Sequence, residues 1–82
     1  MTTEEIEIAK TLWNNTTFRS ASFDKRFSRS MCAIAEFKPH TELSEKQSNW
    51  LYRLMHKYRK QVPELYEKYQ HLTYNSILTP LT

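Results

Sequence analysis

The chain contains no glycine in its 82 residues. That removes glycine-rich phosphate loops and glycine-flanked nucleophile elbows. It also removes the residue on which most tight hairpin turns and left-handed helix caps depend, so helices are expected rather than strands. One cysteine, Cys32, excludes an internal disulfide and a cysteine-based zinc site, which fits a reducing compartment. No apolar run reaches the roughly 18 residues a membrane span needs, so no membrane partner is expected. The opening MTTEEIEIAK is acidic and lacks the features of a signal peptide, and a cytoplasmic setting is expected. His40, His56 and His71 share no HExxH or His/Cys spacing, so no metal or other cofactor is expected. The carboxylates fall mainly on predicted helix starts and solvated faces, which leaves no general acid/base pair. These exclusions predict a protein that is not an enzyme.

What the chain does have is 39% hydrophobic residues, 26% charged residues and, in two Trp, five Tyr and four Phe, ample aromatic surface to bury. That composition describes one globular domain over residues 1–82. The net charge of +3 is unevenly spread. From Arg19 to Lys60 there are ten Lys/Arg against four Asp/Glu, whereas the flanks hold two basic and five acidic residues. A basic middle between acidic ends predicts an acidic partner, either nucleic acid or a negatively charged protein surface.

The hydrophobic pattern predicts an all-α fold, a compact bundle of three to four helices over about 3–14, 22–37, 45–61 and 63–70. The third helix organises the reading. Ser44 and Gln47 make a capping box at its start, and Pro63 biases residue 62 out of the helical region at its end. On a helical wheel Gln47, Leu51, Leu54, Met55, Tyr58 and Val62 share an inner arc. Lys46, Asn49, Arg53, His56, Lys57 and Lys60 share the outer one, a basic stripe without an acid, and Trp50 stands on its border beside Lys57. His56 is expected to be solvated there.

Thr2 or Thr3 caps the first helix, with Ile6, Ile8, Ala9, Leu12 and Trp13 on its apolar arc. Asn14 to Ala21 reads as a loop with Phe18 as its buried candidate. In the second helix, Phe23, Phe27, Met31, Ile34 and Phe37 recur as a core stripe. Ser28, Cys32 and Ala35 form a small-residue stripe opposite, which would admit a close helix neighbour or simply face water. The first alternative places this helix in the middle of the fold, with Cys32 as a packing residue. Lys25, Arg26 and Arg29 add a second basic patch. Pro63 suits the first position of the fourth helix, with Leu65, Tyr66 and Tyr69 inward. The uncharged end, with Tyr74, Ile77, Leu78 and Leu81, is expected to dock on the body.

The segments FDKRF-x-RSM and LSEKQ-xx-WL-x-RL-xx-KYRKQ, covering Phe23 to Gln61, resemble a group of small proteins of bacteriophages and other mobile elements. The resemblance implies a bacterial cytoplasmic setting near replication or host takeover. It implies no catalytic residues.

Three functions follow as expectations. One is an accessory protein that binds DNA or RNA through Lys46, Arg53, Lys57 and Lys60 with Lys25, Arg26 and Arg29, while Trp50 stacks on an unpaired base. The second is a phage-encoded inhibitor or modulator that docks its basic face on an acidic surface of a host complex. The third is a structural module that forms a homodimer.

Overall fold

The computed structural model describes residues 1–74 and contains four α-helices: α1 (Thr3–Asn15), α2 (Phe23–Phe37), α3 (Glu45–Lys57) and α4 (Pro63–Tyr69). Each start is set by the side chains around it. Thr2 Oγ1 accepts from the Glu5 amide while Glu5 Oε1 accepts from the Thr2 amide, at 3.2 and 2.8 Å. Ser44 and Gln47 make the same reciprocal pair at α3, and Ser22 Oγ caps α2 by accepting from the Lys25 amide. Pro63 opens α4 at a position where the missing N–H is not needed.

The third helix is shorter than the expected 45–61. It stops at Lys57, and the chain turns through Tyr58 to Val62, with the Gln61 amide donating to the Tyr58 carbonyl. Pro63 has no amide to continue the ladder. The Arg59 guanidinium instead donates to the His56 carbonyl at 3.0 Å, satisfying part of the open helix end.

The core is built from Ile8, Ala9 and Leu12 of α1, Met31 and Ala35 of α2, Leu51, Leu54 and Met55 of α3, and Val62, Leu65 and Tyr69 around α4. The expected place of α2 in the middle of the fold is not met: α1 and α3 each pack against all three other helices, whereas α2 meets only those two. Second, α2 is turned the other way round from the expected aromatic stripe. Ser28, Cys32 and Ala35 are buried, whereas Phe23 and Phe37 are 47% and 79% exposed. Small side chains on the buried line let α1 and α2 approach closely, and phenyl rings there would hold them apart. Of the predicted stripe only Met31 is fully inside, while Phe27 and Ile34 are half-buried at the edge.

Glu5 ties α1 to α3 by accepting from the Ser48 hydroxyl and, at 3.4 Å, from the Tyr52 phenol. Glu7 ties α1 to α4 through Lys68 and Tyr69, both at 3.0 Å. The Lys68 hydrogen bond holds the Glu7 carboxyl below its ordinary value, against a smaller opposing effect of burial.

Past α4 the chain returns over α3. Leu72 packs on the core, its carbonyl lies 2.9 Å from His56 Nε2, and the Tyr74 ring lies 5.5 Å from the imidazole. His56 is therefore half-buried and Asn49 buried, not solvated on an outer arc. Ile77, Leu78 and Leu81 lie outside the described residues. No helix among the described residues is long and apolar enough to cross a membrane.

Candidate nucleic-acid interface

The start of α2 and the second half of α3 converge on a cleft of about 380 Å³ lined by Arg19, Ser22, Phe23, Asp24, Trp50, Arg53, Lys57 and Tyr58. Local structure explains the convergence. Phe18, in the loop after α1, stacks on Trp13 with centroids 6.3 Å apart and meets Tyr58 edge-on at 5.1 Å, which anchors the loop against α3. Arg19 follows directly and lines the cleft. Ala21 then adopts φ 59°, and Ser22 caps α2, so Phe23 and Asp24 enter from the opposite side.

Trp50 forms one wall. Its ring is held edge-on to Phe23 at 4.9 Å and tilted against Phe27 at 6.1 Å, and the Arg53 guanidinium lies 5.1 Å from its centroid. The indole N–H is buried and has no hydrogen-bond partner. Trp50 is thus a fixed wall carrying a cation, not the free edge expected from the wheel.

Across the cleft, Lys57 Nζ pairs with Asp24 Oδ2 at 2.6 Å, and the Tyr58 phenol donates to the same oxygen at 2.9 Å. Burial, then this hydrogen bond, pushes the Tyr58 phenol up to about 12. The stripe that lacks an acid in its own helix therefore receives one from α2. Three cations, Arg19, Arg53 and Lys57, face one anion, Asp24, so the cleft stays positive.

The remaining predicted residues divide. Lys46 is exposed, and helical spacing puts it on the same flank of α3 as Trp50, Arg53 and Lys57. Lys60 is exposed but sits in the turn after α3. Lys25 and Arg29 fall on the flank of α2 opposite Phe23 and Phe27, away from the cleft, and Arg26 points outward between the flanks. The two basic patches do not merge into one face.

The chain matches no family model, and no similar curated protein or solved structure is found. Sequence reasoning missed Arg19, Phe23, Asp24 and Tyr58 as cleft residues. The one available signal was Phe18: an aromatic within a polar loop must bury somewhere, and it carries Arg19 with it. Among the described residues no group of His, Cys, Asp and Glu is arranged to hold a metal ion.

Proposed function

We propose that the protein is a non-enzymatic nucleic-acid-binding accessory that takes a single strand in the cleft between α2 and α3. The observation carrying this reading is the gathering of Arg19, Arg53 and Lys57 beside the fixed aromatic wall of Phe23 and Trp50. Guanidinium and ammonium groups neutralise phosphates, and an exposed aromatic face stacks on a base of any identity. The cleft is near the small end of ligand sites, which run from about 300 to 1,000 Å³, so it suits one nucleotide unit and not a duplex. Lys46, one turn earlier on the same flank, extends the phosphate track.

The test is fluorescence anisotropy with labelled single- and double-stranded oligonucleotides of DNA and RNA at two salt concentrations. Micromolar single-strand binding that weakens steeply with salt and is lost in Arg53→Ala supports the reading. Absence of binding at low salt overturns it. The resemblance to small phage proteins names the other reading, an acidic surface of a host complex. Retention of one defined host protein after nuclease treatment, with no oligonucleotide binding, would favour it.

A further inference from the structure

Asp24 is the acid lining the cleft, and only one of its two carboxyl oxygens is engaged. Lys57 Nζ at 2.6 Å and the Tyr58 phenol at 2.9 Å both donate to Oδ2, which holds the group in one place. Oδ1 accepts from no donor among the described residues, although the side chain is only 11% exposed. Nor is it sealed off. The side-chain oxygens and nitrogens buried without a partner among those residues are Thr16 Oγ1, Ser28 Oγ and Trp50 Nε1, so Oδ1 stays open to the cleft that Asp24 lines. A carboxyl oxygen fixed in this way is costly to cover unless a donor meets it.

This inference rests on the reading of the cleft as a seat for one nucleotide of a single strand, and Oδ1 decides which part of that nucleotide lies against it. Phosphate oxygens only accept, and like charge turns them from Asp24 toward Arg19 and Arg53. A base stacked on the exposed part of the Phe23 ring can have any identity, so the donors along its edge are not constant. Between phosphate and base lies the sugar, and Asp24 directly follows Phe23 in the chain. A ribose offers the same donor, its 2′-hydroxyl, at every nucleotide, and a deoxyribose lacks it.

We propose that Asp24 Oδ1 accepts from the 2′-hydroxyl of the bound nucleotide, so that the cleft selects RNA over DNA. A hydroxyl donating to a carboxylate makes one of the stronger hydrogen bonds, whereas a deoxyribose covers Oδ1 and gives it nothing. The loss of that one bond corresponds to about ten-fold in affinity. Asp24 then sets specificity in two ways, by turning phosphates aside and by reading the sugar.

Fluorescence anisotropy at one fixed low salt concentration tests this with three labelled single strands of the same base sequence: RNA, DNA written with uracil, and 2′-fluoro RNA. The fluorinated strand keeps the sugar pucker of RNA but has no 2′-hydroxyl to donate. RNA is expected to bind about ten-fold more tightly than either of the others, which should match each other. Asp24→Ala is expected to abolish the difference while still binding all three strands through Arg19 and Arg53. The three-strand comparison on the unaltered protein stands without the variant. Equal binding of RNA and DNA, 2′-fluoro RNA binding as tightly as RNA, or a preference that persists in folded Asp24→Ala overturns the proposal and leaves the reading of the cleft intact. Failure of every strand to bind overturns both.

Discussion

Lys57, on the basic flank of α3, is held 2.6 Å from Asp24, 33 residues away in sequence and buried in the first turn of α2. The pair decides how much of the cleft's charge is available. A lysine already neutralised contributes little to phosphate binding, whereas Arg19 and Arg53 are paired with no carboxylate among the described residues.

Asp24→Asn is therefore expected to tighten single-strand binding. The logarithmic salt dependence should steepen by about 0.7, the increment for one further phosphate contact on a single strand. The same change should cost about 1–2 kcal/mol of stability through the weakened bonds to Lys57 and Tyr58, measured by urea denaturation. Tighter binding with an unchanged salt slope would mean that Lys57 does not meet a phosphate.

The orientation of α2 gives an opposed pair of outcomes. Ala35→Leu, on the small stripe against α1, is expected to destabilise by about 1–3 kcal/mol through overpacking. Phe37→Ala is expected to change stability by less than about 0.5 kcal/mol, since its ring is mostly in water. Were the aromatic stripe inside, Phe37→Ala would cost about 3–5 kcal/mol. Chemical denaturation of both variants at low protein concentration distinguishes the two.

In a chain without glycine, Ala21 occupies the left-handed region at φ 59°. A β-carbon there costs about 1–2 kcal/mol, and part of the relief from removing it is lost to the greater freedom of an unfolded glycine. Ala21→Gly is expected to stabilise by about 0.5–1 kcal/mol, read as a rise in the denaturation midpoint.

Two phenols set an alkaline limit. Tyr52 and Tyr58 are each pushed up to about 12, in both cases by burial first and then by a neighbouring carboxylate, Glu5 or Asp24. The unfolded phenols ionise near 10, so the contribution is fully present below that pH and is lost as pH rises toward about 12. Thermal midpoints are expected to hold steady up to about pH 10 and then fall. In Tyr58→Phe the fall should be shallower.

The start of each helix was legible because it depends on neighbours in sequence. Ser44 with Gln47, Ser22 and Pro63 act within one turn, and all appear in the folded chain as expected. The side of α2 that turns inward was not legible. Both of its stripes can be buried, and the choice rests on how near α1 comes, a distance no single helix encodes. The same limit hid the cleft. Spacing put Lys46, Arg53 and Lys57 on one arc with Trp50 at its border, but it also put Asn49, His56 and Lys60 there, and the acid and the second aromatic beside Trp50, Arg53 and Lys57 come from α2.

The position of α1 also bears on how the molecule is made. The earliest of the four helices to be synthesised packs against all three others, so during translation it must wait, largely unsupported, for its neighbours to emerge. Its packing partner α2 follows soon after, but Glu7 finds Lys68 only 61 residues later. Closure of the complete helical body is thus tied to the arrival of its last helix, and a chain stalled before α2 and α3 would leave Ile8 and Leu12 open to chaperones or to aggregation.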